Sequence, residues 1–127
     1  MLNSNSLESF IKDRKAVSEL IFDVLTQKIS VLDALKQYPK NLSDPTLNAA
    51  FHALVHLEAD EDLRKNDSLY KDEQDMYLED IARILAKGDP LPCNVIEEYS
   101  KYYKESLIYP NTDKKSVFQR LKKMINL

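Results

Sequence analysis

The stretch DPTLNAAFHALVHLEADEDLRKN, residues 44–66, decides how this chain folds. Asp44 is a helix-capping residue, and Pro45 belongs in a first turn, where its missing N–H leaves nothing unsatisfied. At about 100° per residue, Leu47, Ala50, Phe51, Leu54, Val55 and Leu57 gather on one face. His52, His56 and Asp60, spaced by four, gather on the opposite face. The pattern predicts an amphipathic helix with its apolar face on the core and the two histidines and Asp60 turned to solvent. Glu58 and Glu61 fall on the apolar face, where a carboxylate is costly unless paired.

Upstream, residues 7–29 read as a first helix capped by Asn5 or Ser6. Leu7, Phe10, Val17, Leu20, Ile21, Val24 and Leu25 form its stripe, and Ile11, Phe22 and Ile29 widen it. A helix apolar over half its circumference touches several neighbours. Arg14 projects from inside the stripe. Its long stem can lie on the core while the guanidinium reaches water. Alternatively, Arg14 meets Glu58 and Glu61 in a buried polar cluster, since a bidentate arginine suits a carboxylate at low dielectric. Ser30 and Asp33 form a capping pair for a short helix with Val31, Ala34, Leu35 and Tyr38, and Pro39 ends it.

Downstream, the organising helix frays near Lys65, and Asn66-Asp67-Ser68 supplies a break and a new cap. A fourth helix runs from about Leu69 to Lys87, with Tyr70, Tyr77, Leu78, Ile81, Ile84 and Leu85 on one face. Asp72, Asp75 and Glu79 share its far face. Gly88 sits where a helix end takes a left-handed residue, and Pro90 forbids continuation. Pro92 opens a fifth helix over 92–109, where Val95, Ile96, Tyr99, Tyr102, Tyr103 and Leu107 align. Tyr99 reads as a core-edge residue. After Tyr109-Pro110-Asn111, the positions Val117, Phe118, Leu121, Met124 and Ile125 predict a last helix. No strand-like alternation competes, so the fold class is all-α: one domain, residues 1–127, built as an antiparallel bundle of five to six helices.

With 127 residues, the chain can bury roughly two thirds of its unfolded surface. Its 18 basic and 21 acidic residues are too evenly balanced for a general nucleic-acid or membrane binder. A single glycine excludes glycine-rich phosphate loops. No apolar run reaches the roughly 18 residues of a membrane span, and the first residues form no signal peptide. Cys93 is the sole cysteine, which fits a reducing cytoplasm.

For chemistry, His52, His56 and Asp60 are the residues spaced like a metal site. Two histidines at i and i+4 can chelate zinc, with a carboxylate one turn on as a third ligand. There is no HExxH motif and no Glu-x-x-His pair, so two solvated or interface histidines are the plainer account. No nucleophile with its base is visible, which predicts neither an enzyme nor a cofactor.

Charge is distributed unevenly. From Glu58 to Asp80 the chain carries ten acids, among them Asp60, Asp72, Asp75 and Glu79, against Arg64, Lys65 and Lys71. From Lys101 onward, seven bases face Glu105 and Asp113. The acidic block suits a basic partner surface. The expected function is therefore a protein–protein interaction module of an immunity, antitoxin-like or regulatory kind, with another protein as partner. Metal binding and nucleic-acid binding through the basic end are the alternatives.

Overall fold

The structure, a computed structural model, describes residues 4–39 and 43–108, with side chains for residues 7–39 and 43–101. Among the described residues there is no strand, and six helices form: α1 (Ser4–Leu25), α2 (Val31–Gln37), α3 (Pro45–Ala59), α4 (Glu61–Asn66), α5 (Ser68–Ala86) and α6 (Cys93–Ile108). The chain is all-α, as its periodicity predicts. The expected last helix lies outside the described residues, as do the bases beyond Lys104 and the side chains of Tyr102 and Tyr103.

Local chemistry sets the boundaries. Ser30 Oγ accepts from the Asp33 N–H at 3.0 Å, Asp44 Oδ1 from the Thr46 N–H at 3.1 Å, and Asp67 Oδ1 from the Tyr70 N–H at 3.1 Å. Each side chain satisfies an N–H that the first turn of a helix leaves open. At the end of α5, Gly88 takes a φ of +79°; its N–H donates to the Leu85 carbonyl at 2.8 Å and that of Asp89 to Ile84 at 3.3 Å. This pair of bonds is a Schellman cap.

α1 closes with the same motif, earlier than the expected residue 29. The N–H of Gln27 donates to Val24 at 3.0 Å and that of Lys28 to Asp23 at 2.8 Å, with Gln27 left-handed at φ +64°. A glutamine carries no sequence signal for that conformation, so the stop was not legible. The organising helix is also divided: α3 ends at Ala59 and α4 begins at Glu61, with Asp60 between them.

α1 and α5 pack along each other. Ser18 Oγ donates to the Ala82 carbonyl at 2.8 Å, and Arg14 Nη1 to the Gly88 carbonyl at 3.0 Å. Residue numbers fall on one helix as they rise on the other, so the pair is antiparallel. α3 is the central element, touching α1, α2, α4, α5 and α6. The core is filled by Val17, Ile21, Leu47, Leu54, Leu78, Ile81, Leu85, Leu91, Val95 and Tyr99. Tyr99 is thus fully inside rather than at the edge, while Leu7 at the start of the α1 stripe is exposed.

The side of α3 expected to face water is largely enclosed. Ala49, Ala53, His56 and Asp60 are all buried, with His56 at 3% and Asp60 at 2% exposure. The small alanines let α6 approach on the side that a two-faced reading assigns to water. Between its ends, the part of α3 nearest water is the half-buried strip of Asn48, His52 and Val55, so of the two histidines only His56 is fully enclosed.

Candidate functional site

Three polar arrangements stand out from the helical frame, two buried and one on the surface. The first is built on Arg14. Its Nε lies 2.9 Å from Asp44 Oδ2, its Nη2 donates to Asp44 Oδ1 at 3.1 Å, and its Nη1 reaches the Gly88 carbonyl. The guanidinium does not reach out to water: Arg14 is 8% exposed, with the Phe10 ring 5.8 Å from Cζ. Its partners are not Glu58 and Glu61. Glu58 is half-buried, and Glu61 is exposed, 3.4 Å from Lys65. The reason is distance along the helix: Arg14 crosses the start of α3, and Glu58 is fourteen residues on, about 20 Å at 1.5 Å per residue. Asp44 therefore caps α3 and neutralises Arg14, while Thr46 Oγ1 accepts from the Leu91 N–H at 3.2 Å. Together they fasten α1, the entry to α3 and the α5–α6 connection.

The second arrangement surrounds Asp60. Its carboxylate turns inward, so it does not cap α4. Oδ2 accepts from the Tyr70 hydroxyl at 2.7 Å and from Gln74 Nε2 at 3.3 Å, and His56 Nε2 lies 3.1 Å away. Arg64 continues the chain of contacts, donating to Gln74 Oε1 at 2.8 Å and to Asp75 Oδ1 at 2.7 Å. Lys71 Nζ donates to Asp75 Oδ2 at 3.0 Å. The His52 ring lies edge-on to Phe51 with centroids 5.8 Å apart, and burial holds its pKa below the usual 6.5. The proposed metal ligands His52, His56 and Asp60 are therefore not assembled. Among the described residues, no three His, Cys, Asp or Glu side chains are placed to hold an ion.

The sequence pattern does not point to Tyr70 and Gln74 as partners of Asp60, nor to Arg64 as the partner of Gln74 and Asp75. Gln74 was the available signal, a polar residue inside the apolar stripe of α5, between Tyr70 and Tyr77. Cys93 is exposed at the first position of α6.

The third arrangement is a surface groove of about 550 Å³ between α1 and α5. Phe22, Leu25 and Thr26 form one side; Asp72, Asp75, Met76 and Glu79 form the other. The acidic trio does share one face of α5, as its spacing predicts. Asp60 does not extend that patch, because it is inside. Nor is the face a plain solvated one. Met76, in its middle, is 60% exposed, and Leu69 seven residues earlier is 69% exposed. α5 carries five carboxylates against two bases. Asp75 is held by Arg64 and Lys71, and Glu79 accepts from Arg83 at 2.6 Å. A second open cleft of about 500 Å³ lies between the α1–α2 turn and α5, with Val24, Ile29, Leu57, Lys28, Arg64 and Asp75 on its walls. Asp75 and Leu25 border both hollows.

No family model matches this chain, and neither the curated proteins nor the solved structures contain a match to it.

Proposed function

We propose that this chain is a non-catalytic protein-binding module, and that its partner docks along the α1–α5 groove. An immunity, antitoxin-like or regulatory role in the cytoplasm suits such a module. The observation that supports the reading is the exposed Met76 in an acidic-rimmed hollow backed by Phe22 and Leu25. Surface carboxylates alone are what a solvated helix carries. An exposed apolar side chain at the centre of a concavity, with polar groups around it, is instead the anatomy of a binding patch. No helix among the described residues is long and apolar enough to cross a membrane.

The test is a photo-cross-linking side chain placed at position 76, with the same side chain at Glu97, an exposed residue of α6, as control. In native extract, position 76 should give a discrete adduct that Asp72→Lys with Glu79→Lys abolishes. Asp75 is spared because Arg64 and Lys71 depend on it. Equal labelling from both positions, or an adduct indifferent to the two lysines, rules the groove out.

A further inference from the structure

We infer that the α3–α4 junction is a hinge. Asp60 holds it bent, and freeing that buried carboxylate lets α3 and α4 join as one continuous helix. Arg64 and Asp75 carry the state of the hinge to the surface.

Local chemistry favours the straight form. Residues 46–66 contain neither glycine nor proline, and no helix-stop signal stands at Asp60. The N–H of Asp60 donates to the His56 carbonyl at 3.0 Å, and that of Arg64 to the Asp60 carbonyl at 2.9 Å. Both are i to i−4 bonds, as in an unbroken helix. Asp60 itself, at φ −94° and ψ 13°, lies only about 30° in φ and 55° in ψ from α-helical values. A modest rotation at one residue separates the two forms.

The bend has a local cost. The N–H groups of the first turn of α4 find no carbonyl within α4, and the Asp60 side chain gives them no cap. A continuous helix satisfies them on the carbonyls of Leu57, Glu58 and Ala59. Tertiary contacts offset that cost. The Tyr70 hydroxyl at 2.7 Å and Gln74 Nε2 at 3.3 Å donate to Asp60 Oδ2, and His56 Nε2 lies 3.1 Å away. A buried carboxylate depends on such partners, so Asp60 is held inward and the helix bends to follow it.

The hinge also reaches the surface. Gln74 joins Asp60 to Arg64 of α4, and Arg64 Nη2 donates to Asp75 Oδ1 at 2.7 Å. Asp75 borders both hollows beside α5. Straightening draws Arg64 off Gln74 and Asp75, so the pairing of Asp75 and the hinge are coupled. By reciprocity, loss of the Arg64–Asp75 pair favours the straight form.

The test reads the backbone of the full chain by NMR, as Cα secondary shifts of residues 59–62 and amide exchange at Glu61, Asp62 and Leu63. Asp60→Ala should carry the shifts to α-helical values and slow the three amides at least tenfold. Core amides elsewhere should exchange faster, because Tyr70 and Gln74 lose an acceptor. That opposite sign separates a released hinge from a damaged fold. Asp62→Ala, at an exposed position of α4, makes the same gain in helix propensity and should leave the bend in place. Tyr70→Phe and Asp75→Asn should each move the shifts part of the way along the same line, as a two-state junction requires. If Asp60→Ala leaves the shifts at parent values, the packing of Leu63 on the core sets the bend and the inference fails. It fails equally if Asp62→Ala straightens the junction, since propensity is then the cause. If Tyr70→Phe moves the shifts and Asp75→Asn does not, the link to the surface is refuted. Should Asp60→Ala not fold, Tyr70→Phe carries the same readout, and unmoved shifts there overturn the hinge.

Discussion

Arg14 and Asp44 lie 2.9 Å apart at 8% and 1% exposure, so each depends on the other for its place inside. The net worth of such a pair is small, because desolvation offsets attraction, but removing one partner strands the other. Asp44→Ala should therefore cost about 3–5 kcal/mol, with the lost cap of α3 adding to the stranded guanidinium. Urea denaturation measures it, and Glu61→Ala, at an exposed carboxylate, should leave the midpoint nearly unmoved. Gly88 is the second residue whose identity is fixed by geometry. A Cβ there would stand 2.7 Å from Ile11 Cγ2, on a backbone already at φ +79°. Gly88→Ala should cost at least about 1 kcal/mol from conformation alone. Pairing it with Ile11→Ala should relieve the collision but not the conformational part, so the double variant should stay below Ile11→Ala in stability. Equal stability of those two would show that the left-handed conformation costs nothing.

At the scale of the element, α1 and α5 end in the same hydrogen-bonded motif with different residues at the left-handed position. α5 uses Gly88 and α1 uses Gln27, which pays a steric cost that glycine avoids. Gln27→Gly should thus stabilise the fold by roughly 0.5–1 kcal/mol, even though glycine is floppier in the unfolded chain. A rise in thermal midpoint checks it; a fall would mean that the Gln27 side chain contributes contacts outweighing its backbone strain. The break between α3 and α4 has a different origin. Asp60 serves no cap there, because the Tyr70 hydroxyl and Gln74 draw its carboxylate inward. Tertiary hydrogen bonds, rather than propensity, account for that boundary.

Across the whole molecule, burial writes itself into the pH dependence through His52. Desolvation disfavours its imidazolium, so below about pH 6.5 the unfolded chain binds a larger share of a proton than the folded chain does. The folded pKa lies below the unfolded one, and the associated stability is complete above about 6.5 and declines as pH falls below that value. Urea midpoints at about pH 7.5 and 5.5 should differ by more in the parent than in His52→Gln; identical differences would sink the assignment. Legible in the chain alone were the helical class, the caps at Ser30 and Asp44, a break and new cap within Asn66-Asp67-Ser68, the stop at Gly88 and the acidic face of α5. Each of these is a local property, set by period, by a capping side chain or by a single allowed φ. The chain alone did not reveal that Arg14 would choose Asp44, that His56 and Asp60 would be buried, or that Met76 would stand in a hollow against Phe22 and Leu25. Those outcomes depend on which helix lies beside which. A one-helix pattern can say that a residue is on a face, but only the neighbours packed against that face decide whether it meets water, a partner charge or the core.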